Sequence, residues 1–343
     1  MTARKQRRRE RQTHGTPIID QIIELGGAGL DVVDLSRAPA GEPEAESHPG
    51  VVRLGVHRGG KAPPGAFEAF DILLSGDPGA PRPWVGMAPG EIDETILELA
   101  AAVKRRPIAA AITAQVLRVS LMVSFNEALA AESLAYSMLL ASADFQAWRE
   151  ATPRRDRGDA DAQRVSLTSE GEALTIRLTR PAARNAVDAR MRDALVEALQ
   201  AAVDLGEGPV VLEGEGPAFS AGGDLDEFGS FADPAQAHMI RMLRSSAALV
   251  RKLGDRVTAR LHGACVGAGI EIPAAAHHVT ARADAQFRLP EVLMGLIPGA
   301  GGTATLPRRI GRRRTCFMAI SGRFIDPSTA LAWGLVDRLE PDP

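Results

Sequence analysis

The segment from His262 to Thr303 places two carboxylates among apolar residues and glycines, and this pattern limits the possible folds more than any other in the chain. Glu271 follows the run V-G-A-G at 266–269, and Glu291 precedes Val292. Burying an ionised carboxylate costs several kcal/mol and raises its pKa unless the charge is paired or used. Two such acids beside glycines therefore predict a site for acid/base chemistry at the edge of a ligand.

Two glycine-rich turns in this segment each predict the start of a helix. The first, at Gly267 to Gly269, would place Glu271 in the first helical turn, where free backbone N–H groups point outward. The second, P-G-A-G-G-T at 298–303, predicts a helix from about Ala304. A strand is expected between them, over Ala285–Leu289.

Other glycine-loop motifs fit this segment poorly. A dinucleotide fingerprint needs a third glycine, but Ile272 stands in its place and no acid follows at the end of a next strand. A P-loop needs a lysine before Thr303, where the chain has Gly302. Two solvated glutamates on helix surfaces remain the plain alternative, which the flanking Ile270 and Val292 disfavour.

Four motifs in order resemble the crotonase (enoyl-CoA hydratase/isomerase) superfamily. The glycines before Glu271 are similar to its G-G-G-x-E helix start, and the run from Pro290 to Thr303 is similar to P-E-x-x-x-G-x-x-P-G-x-G-G-T. The two acids are twenty residues apart, as in hydratases of that family. Upstream, P-A-F-S-A-G-G-D-L at 217–225 and the segment from Leu174 to Ala186 also match, so the resemblance covers about residues 164–340.

The resemblance implies an α/β fold, a β-β-α spiral with a mostly parallel sheet, as the catalytic core over residues 164–343. Strands are expected at Leu174–Leu178 and Pro209–Glu213, with an amphipathic helix at Arg190–Leu205 between them. A second helix is expected at Ala235–Leu253. Its apolar side chains are expected to pack in the core; they are Met239, Met242 and Leu243.

The resemblance also implies an acyl-CoA thioester as the ligand, and roles for individual residues. The backbone N–H groups of Gly223 and Ala268 would form an oxyanion hole, with Ala268 replacing the usual glycine. Glu271, Glu291 and Gly299 would be catalytic. The residues implied to bind coenzyme A are Arg180, Arg184, Ser220, Ala221 and Asp224. Asp226 stands where hydratases often carry a lysine, and this departure puts coenzyme A affinity from that side in doubt.

The activity expected from both acids is addition of water to a 2-enoyl-CoA. Glu271 would activate the water and protonated Glu291 would deliver a proton to C2. Enoyl-CoA isomerase, or another enolate-stabilising activity, is the enzymatic alternative. An inactive crotonase-like subunit is the alternative from another class. No separate cofactor is expected, because coenzyme A is part of the substrate.

The first half of the chain falls into several stretches of different character. Residues 1–50 are expected to be a basic, disordered tail and a connector, with one short helix at Ile18–Leu25. Residues 51–89 contain three candidate strands and have no assigned role. Residues 90–150 have apolar positions at helical spacing, with breaks near Pro107 and before Phe125.

The helices of residues 90–150 resemble the C-terminal helices of crotonases. The last contains L-x-x-E at Leu129–Glu132 and ends in A-S-A-D-F at 141–145, while the chain stops soon after Leu339. This order predicts a circular permutation, with the polar segment 151–163 as linker. An unrelated helical domain joined to a shortened crotonase core is the alternative. Family helices of this type build trimers and hexamers, so a homo-oligomer is expected.

Composition excludes several classes of protein. The net charge of −3 argues against a chain built for nucleic acid, and no run of apolar residues is long enough to cross a membrane. The two cysteines form no disulfide framework, so a cytoplasmic location is expected. His262, His277 and His278 have no accompanying ligand pattern, so no metal is expected.

Overall fold

The computed structural model describes residues 29–36, 50–65, 67–155, 162–230 and 233–341. Several expectations concern residues outside these ranges. They are the basic tail, the helix at Ile18–Leu25, the connector at 38–49 and part of the linker, residues 156–161.

A four-stranded parallel sheet precedes the helical region, with its strands side by side in chain order. Its members are β1 (Leu30–Asp34), β2 (Val52–His57), β3 (Ile72–Ser75) and β4 (Val85–Gly86). The three strands expected at 51–89 are present. β1 corrects the expectation of a tail and connector throughout 1–50, because its residues pair with β2 from Leu30 to Asp34.

Four helices follow this sheet, in the region where helical spacing was recognised. They are α1 (Ile92–Arg105), α2 (Pro107–Val119), α3 (Phe125–Leu140) and α4 (Ala143–Ala151). Pro107 begins α2, where its missing N–H removes no hydrogen bond. Ser124 caps α3 by accepting from the Glu127 N–H, and the Glu127 carboxylate accepts from the Ser124 N–H in return.

A six-stranded sheet forms the centre of the second half of the chain. Its spatial order is β12-β10-β8-β7-β6-β5, with only the β5–β6 pair antiparallel. The mostly parallel sheet expected from the sequence is therefore present. The strands are β5 (Val165–Glu170), β6 (Ala173–Leu178), β7 (Val210–Gly214), β8 (Val257–Leu261), β10 (His278–Arg282) and β12 (Arg338–Glu340). A separate parallel pair joins β9 (Ala264–Val266) to β11 (Gln286–Arg288).

Seven further α-helices accompany these strands within the described residues. They are α5 (Ala189–Asp204), α6 (Pro234–Leu243), α7 (Ser246–Leu253), α8 (Ala268–Glu271), α9 (Gly302–Ile310), α10 (Arg312–Ser321) and α11 (Pro327–Trp333). The single helix expected at Ala235–Leu253 is thus two helices. The chain breaks at Arg244, and the Ser245 hydroxyl caps α7 by accepting from the Ala248 N–H.

The apolar residues on α6 differ in how far they are exposed to solvent. Met239 is 53% exposed and Leu243 is 75% exposed, so the expectation that they pack in the core is wrong. Met242 is half-buried and packs against Ala128, Leu129 and Ala304. α6 instead turns Ala237, His238 and Arg241 towards the rest of the protein.

Three consecutive arginines of α10 join the two halves of the chain. Arg312, Arg313 and Arg314 are all buried, and each donates to a backbone carbonyl of residues 67–84. The accepting carbonyls belong to Glu68, Phe70, Phe67, Trp84 and Ala80. Buried guanidinium groups need acceptors, and the loops on either side of β3 supply them to all three residues, although Arg313 Nε has no partner among the described residues.

One apolar core extends through both sheets. It includes Leu54 of β2, Leu99 of α1, Leu139 of α3 and Ile176 of β6, all almost completely buried. The first half of the chain is therefore packed against the second rather than attached to it through the linker alone. Among the described residues, no helix has the length and apolar character needed to cross a bilayer.

Candidate active site

Glu271 lies at the end of the short helix α8 and is buried. Gly267 precedes this helix with φ +50°, a backbone conformation that favours glycine. One carboxylate oxygen, Oε2, accepts from the N–H groups of Ala300 and Gly302 at 2.7 and 2.9 Å. Burial raises the pKa of Glu271 to about 7, although these backbone donors favour the ionised form.

Glu291 begins a 3-10 turn after β11 and is also buried. Its Oε2 has no hydrogen-bond partner within the described residues. Burial, followed by the nearby Glu271 carboxylate, raises the pKa of Glu291 well above its usual value. A carboxyl in this environment is held in the protonated form, in which it can donate.

Gly267 separates the two acids and needs to be a glycine. A Cβ there would lie 2.4 Å from Glu291 Oε1 and 3.7 Å from Glu271 Oε1. Both Oε1 atoms therefore border the same small space beside the Gly267 backbone. The two glutamates identified from the sequence are brought together as the acid/base pattern predicted.

A third buried carboxylate comes from the first half of the chain. Glu132 of α3 accepts from the Gly301 N–H through Oε1, and from the Thr303 N–H and hydroxyl through Oε2, each at 2.7 Å. Burial raises the pKa of Glu132 to about 8, with a further contribution from the Glu271 carboxylate. Three carboxyl groups in one buried cluster cannot all be ionised near neutral pH without strong repulsion.

The backbones of Gly223 and Ala268 border one cavity of about 240 Å³. Ser220 pairs with Cys265, and the Val266 N–H donates to the Ser220 carbonyl at 3.0 Å, so the two segments run side by side. Neither the Gly223 N–H nor the Ala268 N–H has an acceptor within the described residues. These two donors are therefore available to an oxygen atom in the cavity.

Gly299 lies against the single tyrosine of the chain. A Cβ at Gly299 would be 2.4 Å from the Tyr136 ring, so no larger residue fits there without displacement. Gly299, Tyr136, Glu132 and Glu291 all line the cavity. Glu271 is not among the described lining residues, although its Oε1 approaches Glu291 beside Gly267.

Two residues expected to bind coenzyme A, Arg180 and Asp224, have partners within the protein. Arg180 is buried and donates to Asp224 at 2.7 Å and to the Ala186 carbonyl at 3.0 Å. Asp188 lies 3.4 Å from the same guanidinium. Arg180, Asp188 and Asp224 therefore form a buried ion-pair network, and contact of Arg180 and Asp224 with coenzyme A stays a prediction.

The other residues expected to bind coenzyme A are Ser220, Ala221 and Arg184, and they differ in exposure and in hydrogen bonding. The polar groups of Ser220 are used internally: its N–H donates to Ala264, its carbonyl accepts from Val266, and its hydroxyl donates to Asn185. Ala221 donates its N–H to the Arg184 carbonyl at 2.8 Å. The Arg184 side chain is exposed beside this contact, at a left-handed position with φ +50°.

The aspartate in the place of a lysine is neutralised by the segment that follows α4. Asp226 Oδ1 accepts from the Arg155 N–H at 3.0 Å, and the Arg155 guanidinium lies 3.4 Å from Oδ2. Arg154 donates to the Asp226 carbonyl at 3.1 Å. Cations therefore surround this position although the residue itself is acidic.

His262 lies away from Asp226, with its ring nitrogen 2.9 Å from the Gly216 carbonyl.

Sequence reasoning missed the contribution of the first half of the chain to this site. Glu132 and Tyr136 are one helical turn apart on α3, and both line the cavity. The L-x-x-E run that contains Glu132 was recognised, but a helical pattern alone does not reveal which loop its carboxylate binds. Arg241 of α6 also lines the cavity and was not singled out.

Comparison with known proteins assigns the second half of the chain. The family described as Enoyl-CoA hydratase/isomerase matches residues 168–343. A solved enoyl-CoA hydratase from Thermoplasma volcanium GSS1 is 34% identical, with a TM-score of 0.49 over 53% of this chain and 73% of that one.

Two curated relatives are similar over about half of this chain. Cyclohexa-1,5-dienecarbonyl-CoA hydratase of Thauera aromatica is 38% identical over 187 residues, which are 52% of this chain and 68% of that protein. The 2,3-dehydroadipyl-CoA hydratase of Escherichia coli (strain K12) is 33% identical over 177 residues, 51% of this chain and 68% of that protein. Together with the family match over residues 168–343, these findings establish that the chain belongs to the enoyl-CoA hydratase/isomerase family.

Proposed function

We propose that this protein is an enoyl-CoA hydratase that adds water across the double bond of a 2-enoyl-CoA thioester. The observation that carries the proposal is the meeting of two buried carboxyl groups beside Gly267, in a site where two backbone N–H groups have no acceptor among the described residues. The curated relatives described above are named hydratases of CoA thioesters. Hydration of a CoA thioester needs one base, one acid and an oxyanion hole, and the groups described above could supply all three.

The oxyanion hole would consist of the Gly223 and Ala268 N–H groups. Addition of oxygen at C3 moves negative charge onto the thioester oxygen, which becomes an enolate oxygen. Donors already aimed at that position stabilise the transition state, and losing one such donor typically costs about 10²–10³ in rate. Ala268 supplies the same backbone group as a glycine would, so the replacement keeps the donor.

The two glutamates would divide acid and base work by their environments. Glu271, with its pKa raised to about 7, is partly ionised near neutral pH and takes a proton from the water that adds to C3. Glu291, with its pKa raised much further, gives its proton to C2 of the enolate. The product is a 3-hydroxyacyl-CoA, and one proton must return from Glu271 to Glu291 before the next turnover.

The coenzyme A portion would lie over the Ala221 backbone with its phosphates near Arg184. Arg184 is exposed and has no carboxylate partner among the described residues. Phosphate groups bind well to guanidinium donors of this kind. Arg154 and Arg155 add positive charge on the neighbouring side of the 220–228 loop.

Enoyl-CoA isomerase is the second candidate, and one observation favours it. Glu291 lines the cavity whereas Glu271 is not among its described lining residues. A single carboxyl at the cavity can move a proton between C2 and C4 of an enoyl-CoA without adding water. The test is therefore a matched pair of 2-enoyl-CoA and 3-enoyl-CoA substrates, followed by the absorbance of the conjugated thioester.

Each outcome of this assay selects one activity. Loss of conjugated 2-enoyl-CoA with formation of 3-hydroxyacyl-CoA supports hydration. Gain of conjugation from 3-enoyl-CoA, with no hydroxyacyl product, supports isomerisation. Binding of CoA esters without either reaction favours an inactive subunit.

We further propose that residues 90–150 are crotonase C-terminal helices placed before the core by circular permutation. Support comes from Glu132, whose carboxylate holds Gly301 and Thr303 of the loop beside Glu271. α3 also packs along α6 and α9 of the core. The catalytic core would then have the β-β-α spiral arrangement of the family, completed by helices from its own N-terminal side.

Association into a trimer or hexamer is part of the same proposal. Met239 and Leu243 are exposed one turn apart on α6, and Leu134 and Met138 are exposed one turn apart on the packed helix α3. Exposed apolar side chains at such spacing are typical of helix surfaces that bury each other in oligomers. Sedimentation analysis tests this, and a monomer at micromolar concentration would contradict it.

A further inference from the structure

The cavity beside Glu291 is lined by several charged side chains, most of which have partners. Glu132 holds loop amides, Asp188 lies 2.8 Å from Arg164, and Arg192 pairs with Asp193 at 2.9 Å. The Glu227 carboxylate accepts from the Ala189 N–H at the start of α5. Two cations lining the same cavity, Arg241 and Arg244, have no carboxylate within 4 Å among the described residues.

Arg241 is held in a fixed orientation on the cavity wall. Its Nε donates to the Ser133 hydroxyl at 3.0 Å, and Nη2 donates to the Ser133 carbonyl at 3.3 Å and to the Ser137 hydroxyl. The remaining nitrogen, Nη1, has no acceptor in the described part of the chain. All of its hydrogen-bond acceptors are neutral, and burial lowers the pKa of Arg241, although the nearby Tyr136 and Glu132 partly oppose this shift.

The position of Arg241 relative to the reacting end follows from Tyr136. One side of the tyrosine ring contacts Gly299, beside the glutamates. The Arg241 guanidinium carbon lies 4.9 Å from the centroid of the same ring. Arg241 and Gly299 of the catalytic loop therefore both contact the Tyr136 ring, and the same cavity is also lined by apolar residues: Leu129, Phe228, Met242 and Ile272.

The neighbouring groups at this end of the cavity also suit an anion. Ser245 and Ser246 stand at the start of α7, where backbone N–H groups carry partial positive charge. Arg244 is exposed immediately before them. Glu227, the acid that would oppose an anion, belongs to the end of the cavity beside α5.

We infer that this protein selects enoyl-CoA thioesters whose acyl chain ends in a carboxylate, which Arg241 and Arg244 bind. The inference rests on the proposal that the cavity holds the acyl group of a CoA thioester. A terminal carboxylate would accept from Nη1 of Arg241 and gain an ion pair in a partly buried position. A terminal methyl group would leave that cation without an ion pair among the described residues.

Binding measurements test the inference without requiring turnover. Isothermal titration calorimetry compares adipyl-CoA with hexanoyl-CoA, saturated thioesters of equal carbon number that differ in a terminal carboxylate or methyl. We expect adipyl-CoA to bind roughly 10 to 100 times more tightly, the range for hydrogen bonds to a charged group. Arg241→Gln should remove most of this preference, and Arg244→Gln should reduce it.

The controls separate recognition from structural damage. A variant that merely loosens the packing of α3 on α6 would weaken both thioesters equally, whereas loss of the carboxylate contact lowers adipyl-CoA affinity alone. Arg190→Gln removes a positive charge from an exposed site on α5 outside the cavity, and should leave the preference unchanged.

Two different failures are distinguishable. Equal or tighter binding of hexanoyl-CoA by the unmodified protein overturns the carboxylate inference, and so does an adipyl-CoA preference that both arginine variants retain. Binding of neither thioester contradicts the acyl-CoA proposal itself. Hydration of 2-hexenoyl-CoA by the same preparation reports on the hydratase proposal independently of this preference.

Discussion

Glu132 and Glu271 bind alternate backbone amides of one loop. Glu271 accepts from Ala300 and Gly302, while Glu132 accepts from Gly301 and Thr303. Glu271 belongs to the core, whereas Glu132 belongs to a helix more than a hundred residues earlier in the chain. The loop beside the candidate site is thus held from both halves of the protein.

Replacing Glu132 tests whether this contact positions the site. In Glu132→Gln the side-chain NH₂, itself a donor, would face a backbone N–H that now donates to the carboxylate. One buried donor would therefore lose its acceptor, and we expect a loss of about 2 kcal/mol in the free energy of unfolding. Chemical denaturation measures this loss. Glu94→Gln on the exposed face of α1 is the matched control and should change stability by less than about 0.5 kcal/mol.

The same variant should change the pH dependence of hydration, which a purely structural defect would not do. The Glu132 charge contributes to the raised pKa of Glu291. Removing that charge lowers the pKa of Glu291, so the alkaline limb of the rate profile should move to lower pH. An unchanged limb in a folded Glu132→Gln protein would contradict the proposed coupling.

The unmodified protein should itself show a bell-shaped rate profile. Glu271 must be ionised to act as base, so the rate should rise as pH increases through about 7. Glu291 must keep its proton, so the rate should fall at higher pH, above the limb set by Glu271. The two limbs are properties of the coupled pair and are measured from kcat/KM against pH.

Stability should decrease as pH rises, for the same physical reason. The folded state binds more protons than the unfolded state between the ordinary glutamate pKa of 4.5 and the raised values, so the unfolding free energy falls across this range. Glu271 alone should account for a change on the order of 3 kcal/mol. Glu291→Gln removes one of these titrating groups and should flatten the slope.

Substitution of either catalytic candidate should lower hydration by roughly 10²–10⁴. Glu291→Gln and Glu271→Gln keep the side-chain shape, so circular dichroism should report an unchanged fold. A Glu271→Gln protein that hydrates at the original rate would disprove the two-carboxylate assignment. Isomerisation that survives in that variant would instead indicate Glu291 acting alone.

Gly299→Ala tests the contact with α3. Its Cβ would overlap the Tyr136 ring, so we expect a loss of about 1–3 kcal/mol in unfolding free energy, the usual cost of overpacking. Gly90→Ala is the control, because none of the residues that the structure describes has an atom within 4 Å of the added Cβ there. In a Tyr136→Ala background the penalty of Gly299→Ala should largely disappear, and a penalty that stays constant would contradict the contact.

The permutation proposal also predicts which part of the chain can be moved behind the core without loss of activity. A chain starting at Gln163 would expose the apolar core surfaces that α1 to α4 cover, and should be insoluble or inactive. Placing residues 29–155 after residue 341 through a flexible linker should restore activity, because loop-closure entropy changes slowly with length. Residues 67–84 must move together with α1 to α4, since they satisfy the buried arginines of α10. Full activity from residue 163 onward would contradict the proposal.

Local patterns in the sequence predicted the elements that surround the site. The glycines at 267–269 and 299–302, the apolar spacing of α1 to α3 and the strands at 51–89 all correspond to elements of the structure. Glu271 and Glu291 were recognised because acids among apolar residues are rare. Each of these signals lies within a few residues of the feature that it predicts.

Several contacts between distant segments were not predicted from the sequence. Arg180 matched a ligand-binding position, but only the fold reveals that Asp224 and Asp188 neutralise it. Helical periodicity indicated neither the break at Arg244 nor the exposure of Met239 and Leu243. The roles of Glu132 and Arg241 likewise depend on which helices meet at the cavity.

Isotope incorporation during turnover tests the proposed hydration most directly. Incubation of a 2-enoyl-CoA in D₂O enriched in H₂¹⁸O, followed by mass spectrometry, reports where water atoms enter the product. The account predicts a 3-hydroxyacyl-CoA with ¹⁸O at C3 and one deuterium at C2. A product with deuterium but no ¹⁸O, formed by migration of the double bond, would contradict it.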